Sequence, residues 1–141
     1  MESIGSQIRK HLVALISLFL AIASLTYNTW RNEETEYNRN IRFAGFEVIL
    51  KTGELQRIVL HGHYGKQQIE PGARNGWVFV QQIQDLSNVM PRPMPDTALA
   101  LKQTWQQHWE TLKSDEKSLE KINQAIDKLR EDTLSVLHAL E

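Results

Sequence analysis

The chain has 141 residues, a formal net charge of −1 and no cysteine. This length accommodates one domain with a modest core, and the lack of cysteine excludes disulfides, thiolate chemistry and cysteine-ligated metals. Acidic and basic residues are interleaved, without the basic stripe that binds phosphates, so the charge pattern argues against a nucleic-acid partner.

An uncharged apolar run extends from Leu12 to Leu25 and is followed by Tyr27 and Trp30. Residues 12–30 would span about 28 Å as an α-helix, close to the hydrocarbon thickness of about 30 Å. The two aromatic residues would lie at the far interface, and basic residues precede the run at positions 9 and 10. We therefore predict a transmembrane anchor over residues 11–30.

A cleaved signal peptide is the alternative interpretation of this run. Ala21-Ile22-Ala23 fits an A-x-A cleavage pattern, but it lies inside the apolar stretch, with no polar region leading up to it. Arg9 and Lys10 favour a cytoplasmic N-terminus over residues 1–10, although arginines after the run reduce the asymmetry. The remaining residues, 31–141, are then predicted to form a periplasmic helical bundle domain.

A helix is predicted from Asn32 to about Leu60, because apolar residues recur at helical spacing without a proline. Its apolar stripe comprises Ile41, Ala44, Val48, Leu55 and Val59, flanked by Phe46, Ile49 and Ile58. Glycines and a proline between His61 and Gly76 predict a loop. A second helix is expected from an Asn75 cap to about Met90, and prolines 91, 93 and 95 predict an extended turn.

A third helix is predicted after Asp96, which can cap it. Around residues 113–116 two interpretations stay open: one long helix, or a new helix capped by Ser114. Beyond that point an a/d seam runs for about three heptads; its members are Leu119, Ile122, Ile126, Leu129, Thr133, Val136 and Leu140.

The predicted fold class is all-α, with one N-terminal transmembrane helix followed by a three- or four-helix antiparallel bundle. The a/d seam must be buried against another helix. That helix is either the Ile41–Val59 stripe of the same chain, which we favour, or the same seam of a second copy.

Two groups of residues are candidates for ligand sites. His61 and His63, beside Tyr64, could share a metal ion if the chain is extended, with Glu70 as a further ligand. The second group could line an aromatic pocket, but packing between helices explains its spacing better; its members are Trp77, Phe79, Trp105 and Trp109.

The strongest candidate is a polar segment that follows the anchor, here called the juxtamembrane segment. Its predicted partner-binding residues are Arg31, Asn32, Glu36, Asn38, Arg39 and Asn40. Pairing at i,i+3 on a solvated helix face explains its charges. It does not explain the asparagines, which are poor helix formers whose amides both donate and accept hydrogen bonds. A surface that meets another protein above the bilayer would use them.

The string TYNTWRNEETEYNRNIRFAGFEV begins at Thr26. It resembles the start of a group of uncharacterised single-pass membrane proteins of proteobacteria. The resemblance is strongest over residues 26–60, with weaker echoes at Gly76-Trp77 and at residues 85–87. It implies a bacterial inner-membrane setting and no activity or cofactor.

We found no nucleophile–base pair, H-E-x-x-H helix or phosphate-binding glycine loop, so an enzyme is not expected. The favoured function is a non-catalytic, membrane-anchored accessory subunit. Its expected partners are the lipid bilayer and either another membrane protein or further copies of itself. The alternative is a ligand-sensing periplasmic helical bundle that acts through a partner.

Overall fold

The computed structural model describes residues 4–65 and 72–140, which form four α-helices and no strand. The helices are α1 (Ile4–Tyr64), α2 (Gly72–Asn88), α3 (Met94–His108) and α4 (Glu116–His138). The predicted all-α class is confirmed. The chain divides into two compact units, Met1–Asn38 and Arg39–Glu141, and α1 contributes to both.

In the first unit the described large apolar side chains are exposed on every side of the helix. They are Ile8, Leu12, Val13, Leu15, Ile16, Leu18, Phe19, Leu20, Ile22, Leu25, Tyr27 and Trp30. A helix that is apolar all round requires an apolar environment. The described residues contain one helix that is long and apolar enough to cross a membrane. Signal sequences meet the same criteria.

In the second unit the core lies between the four helices. All five residues of the predicted α1 stripe are buried, and so are six of the seven seam residues of α4. Leu140, the seventh, lies beyond the end of α4 and is half-buried. The prediction for Phe46 is wrong, because this side chain points away from the core and is 60% exposed.

The second half of α1 packs against α4 in the opposite chain direction. Near one end, the Arg42 guanidinium donates to the carbonyl of Leu140 at 2.8 Å. Further along α1, the amide oxygen of Gln56 accepts from Arg130 at 2.7 Å. These two hydrogen bonds join α1 to α4 and its C-terminal end within the same chain.

The other helix neighbours are also antiparallel. Between α3 and α4, Thr97 donates to Asp132 at 2.6 Å, while His108 and Ser118 lie 3.1 Å apart further along. Between α2 and α3, Gly76 lies against the Trp105 indole and the Lys102 ammonium reaches Gln81 and Gln84. The connections between these helices are short, which favours antiparallel neighbours.

Asp132 is a nearly buried carboxylate that holds α3 and α4 together. It accepts hydrogen bonds from Thr97 at 2.6 Å and Lys128 at 2.7 Å. Burial raises the pKa of Asp132, but the hydrogen bonds from Lys128 and Thr97 and the Lys128 charge lower it, and the net pKa lies below its usual value. The carboxylate therefore stabilises the fold above its unfolded pKa of about 3.9.

We expect Asp132→Asn to lower the free energy of unfolding by about 1–3 kcal/mol at neutral pH. Because the folded pKa is depressed, the stability contributed by Asp132 is lost as pH falls through it, and the variant and the parent should converge in acid. Urea unfolding as a function of pH measures this. Asp127→Asn is the matched control, since its exposed pair with Arg130 is worth about 0.5 kcal/mol or less. Equal losses in both variants would contradict the prediction.

The predicted loop between the first two helices is wrong at both ends. Helix α1 continues through His61 and His63 to Tyr64, and α2 begins at Gly72, so Asn75 is not its cap. Gly76 lies inside α2, at a position where the Trp105 indole occupies the space that a side chain would need. The rest of the predicted loop, residues 66–71, lies outside the described residues.

The predicted helix ends also shift around the prolines. Helix α2 ends at Asn88, two residues before Met90, which donates to the Ser87 carbonyl in a turn at 3.1 Å. Helix α3 begins at Met94, so Pro95 lies in its first turn, where proline is tolerated. Asp96 also lies in that turn and is not the cap; Pro93 precedes the helix, without a side-chain capping hydrogen bond.

The connection between α3 and α4 shows that a new helix begins after residue 114. The cap is Asp115 and not Ser114: its carboxylate accepts from the backbone N–H groups of Lys117 and Ser118. A hydrogen bond from the Ser118 hydroxyl at 2.6 Å is the largest cause that lowers the pKa of Asp115. The negatively charged carboxylate of Asp115 therefore suits the N-terminus of α4, where it accepts from free backbone N–H groups and interacts favourably with the helix dipole.

Candidate functional site

All six predicted partner-binding residues of the juxtamembrane segment lie on α1. Arg31, Asn32, Glu36, Arg39 and Asn40 are exposed, and Asn38 is half-buried. The first unit contains four of them, through Asn38, and the second begins at Arg39. Five of the six side chains are therefore accessible to solvent.

Helical spacing decides which of these side chains share a face. Arg31 and Asn38 are seven residues apart and Asn32 and Glu36 are four apart, so each pair lies on one side of the helix. Thr35 directs its hydroxyl to the Arg31 carbonyl at 2.9 Å, which uses that hydroxyl within the helix. The exposed amide of Asn32 can both donate and accept hydrogen bonds. This chemistry suits recognition of a polar protein surface.

The two histidines of the suspected metal pair do not face each other. Both lie in α1, where residues two apart point to different sides. His63 Nδ1 lies 2.7 Å from the Leu112 carbonyl, and its ring meets Tyr64 edge-on at 4.6 Å. Among the described residues no group of three His, Cys, Asp or Glu side chains could hold a metal ion. Glu70, the third suspected ligand, lies outside the described residues.

The aromatic residues form part of the core and of its edge. Trp105 is fully buried, and Trp77 and Trp109 meet edge-to-face with ring centroids 6.5 Å apart. Phe79 is half-buried against the same core. Packing between helices therefore explains this group, as the sequence spacing indicated.

A serine, a histidine and an aspartate meet where α3 is connected to α4, but they are not arranged for nucleophilic catalysis. Ser118 donates to Asp115 and lies 3.1 Å from His108 Nδ1 and 2.8 Å from the Thr111 hydroxyl. In a catalytic triad the carboxylate orients the histidine, which activates an accessible serine. Here the carboxylate contacts the serine, which is buried. The cluster caps α4 and closes the turn.

A second apolar stripe, which was not predicted from the sequence, runs along α1 opposite the core. We call it the outer stripe and define it as Phe43, Phe46, Leu50, Gly53, Leu60 and Tyr64. Its large side chains are all exposed. The signal is present in the sequence as alternating intervals of three and four residues, but Phe46 also flanks the predicted core stripe, so periodicity alone does not group it with the others.

No protein-family model, curated protein or solved structure matches the chain. The geometry and chemistry of the described residues therefore carry the functional argument.

Proposed function

We propose that this chain is a non-catalytic, membrane-anchored accessory subunit of a protein complex in a bacterial inner membrane. Residues 11–30 form the anchor, and residues 31–141 form a four-helix antiparallel bundle on the periplasmic side. The observation that carries the proposal is the apolar helix of the first unit, whose side chains are exposed in every direction.

The lipid bilayer is the first partner. Burying a side chain such as Leu18 or Phe19 in hydrocarbon removes apolar area from water and stabilises the anchored state by roughly 25 cal/mol per Å². Tyr27 and Trp30, with ring centroids 6.1 Å apart, supply an aromatic pair at one end of the apolar stretch. Such rings favour the membrane–water interface.

A second protein in the complex is the other partner, and the juxtamembrane segment supplies its contact. The exposed amides of Asn32 and Asn40 offer donors and acceptors beside charges of both signs. Such a surface suits a polar contact near the bilayer, where orientation is already restricted by the anchor. Non-catalytic action is proposed because the polar clusters described above cap helices and join them.

We expect Asn32→Ala combined with Asn40→Ala to reduce recovery of a membrane partner by about tenfold, equivalent to about 1.4 kcal/mol of binding. The reason is the loss of two amides that donate and accept at the contact. Tagged full-length protein is purified in mild detergent, and co-purifying proteins are identified and quantified by mass spectrometry. Gln103→Ala with Gln106→Ala is the matched control, since both glutamines are exposed on α3.

Alkaline carbonate extraction of the same membranes tests the anchor separately. The protein should stay in the membrane pellet. Release into the supernatant would refute the anchor, and purification without any stoichiometric membrane partner would refute the accessory role. An equal loss of partner in the Gln103 and Gln106 control would refute the juxtamembrane contact.

A further inference from the structure

The outer stripe of α1 has the spacing of a helix-pairing surface. From Phe43 to Tyr64 its members recur at alternating intervals of three and four residues, and Arg57 occupies the one remaining position of the repeat. Two helices with this a/d spacing pack their stripes against each other. The stripe lies on the opposite side of α1 from the buried residues Val48 and Leu55, so the core leaves it unpaired.

The exposed area of this stripe is large for a chain of this size. Phe43, Phe46 and Tyr64 are 66%, 60% and 67% exposed. At the usual size of aromatic side chains, these three alone present on the order of 300–500 Å². That equals the largest apolar patch of a typical monomer, about 300–600 Å², before Leu50 and Leu60 are added. Such a patch marks an interaction surface.

We propose that the outer stripe pairs, in parallel and in register, with the outer stripe of a second copy of this chain. The charges beside the stripe are self-complementary in this arrangement. With Phe43 at an a position and Phe46 at a d position, Arg42 occupies a g position and Glu47 an e position. In a parallel pair a g residue faces the e residue that lies five positions later on the other helix. Arg42 of each copy therefore faces Glu47 of the other. Arg42 uses one N–H group on the Leu140 carbonyl and has others to donate. Within the described residues Glu47 forms no ion pair.

Arg57 sets the register of this pairing. It lies on the seam with its own counter-ion, since its guanidinium contacts Glu54 at 2.6 Å. In register, the two Arg57–Glu54 pairs meet each other, whereas any shifted register places them against apolar residues. A single polar seam position is known to select register at some cost in stability.

The parallel direction rests on the proposed function. Two copies that are anchored through their N-terminal segments in one bilayer present α1 in the same direction. The seam of α4, the other surface considered for a second copy, is buried within the chain. Of the two helix surfaces considered for a second copy, the outer stripe is therefore the one that is exposed in the described residues.

Site-specific cross-linking of the full-length chain in membranes tests the pairing. The chain has no cysteine, so Leu50→Cys introduces the only thiol. Facing positions of a parallel pair bring two Cα atoms within the range of about 4.4–6.8 Å that a disulfide requires. After mild oxidation we expect at least about tenfold more covalent dimer than with Gln103→Cys, because pairing raises the effective thiol concentration. Gln103 is exposed on α3.

A charge variant provides a second readout without a covalent bond. Phe46→Glu would place two carboxylates opposite each other, so the mass of the protein in mild detergent should change from dimer to monomer. Val78→Glu, on an exposed position of α2, should leave the dimer intact. Unchanged helical circular dichroism in both variants would show that the fold is retained.

The outcomes separate the pairing from the anchor. A disulfide-linked dimer of the Leu50→Cys variant, in protein that stays in the membrane after carbonate extraction, supports both the pairing and the anchor. Membrane-retained protein with no more dimer than the control, or with position 50 linked to a different protein, overturns the pairing alone. Dimer at position 50 in protein that carbonate extracts upholds the pairing and overturns the anchor. A dimer mass that Phe46→Glu leaves unchanged also overturns the pairing.

Discussion

Replacing Trp105 with alanine is expected to lower the free energy of unfolding by about 3–5 kcal/mol. The side chain belongs to α3 and lies against Gly76 of α2, and it is the largest of the fully buried side chains. Its removal loses apolar burial and leaves a cavity that helices held on several sides can close only in part. Urea unfolding of the full chain in mild detergent, followed by circular dichroism, measures the loss.

Trp105→Phe is the companion variant and should cost clearly less than Trp105→Ala. Phenylalanine fills most of the same space, and it removes the indole N–H, which is buried without a hydrogen-bond partner among the described residues. An unpaired buried donor is unfavourable, so its removal offsets part of the lost packing. If the alanine variant lost less than about 1 kcal/mol, the assignment of Trp105 to the centre of the core would be wrong.

The second large effect is expected at Gly76, where alanine should lower the free energy of unfolding by about 1–3 kcal/mol. A Cβ atom at this position would overlap the six-membered ring of Trp105, lying 2.5 Å from its Cη2 atom. The ring is packed on its other sides and cannot move away at low cost. Alanine is a better helix former than glycine by up to about 1 kcal/mol, so the overlap must outweigh this gain.

Gly53→Ala is the matched control, because a Cβ atom there would have no neighbouring atom within 4 Å in the same chain. Gly53 belongs to the outer stripe, so both glycine variants are compared in the Phe46→Glu background, where pairing between copies does not contribute. Both glycines lie inside helices, so the change in helix propensity is the same and only the surroundings differ. We expect Gly53→Ala to raise the free energy of unfolding by about 0.5–1 kcal/mol. Combining Gly76→Ala with Trp105→Phe should cost less than the sum of the single losses, because the smaller ring relieves the overlap. If both glycine variants changed the free energy of unfolding in the same direction, the close packing of Gly76 against Trp105 would be contradicted. It would also be contradicted if the loss in the double variant equalled the sum of the two single losses.

Glycine shows where sequence patterns and tertiary contacts diverge in this protein. Read locally, a cluster of glycines predicts a loop, because glycine is a poor helix former. Gly62 and Gly76 instead lie in helices, the first against Leu112 and the second against Trp105. Their small size allows close approach of another element, and this information lies in residues far away along the chain.

The outer stripe shows a different limit of the same kind. Phe46 belongs to an apolar pattern that can be divided between two helix faces, and periodicity alone does not say which face the core takes. The contacts with α4 decided it, because Gly45 packs beside Leu137 and Phe46 is left outside. The candidate self-association surface became visible only after the core was known.

The juxtamembrane segment was predicted from composition, because several asparagines, which are poor helix formers, follow the apolar run. The structure adds that five of the six residues are exposed. The proposed partner would present hydrogen-bond donors and acceptors to these amide and charged groups.

Local chemistry in the sequence was sufficient for the all-α class, the apolar N-terminal helix, the buried stripe of α1 and the seam of α4. Each depends on helical periodicity and hydrophobic burial, which act over a few turns. Tertiary structure alone decided the place of Gly76 inside α2 and the face that Phe46 occupies. Those features depend on which distant side chain fills a given space, and close packing between helices determines that choice.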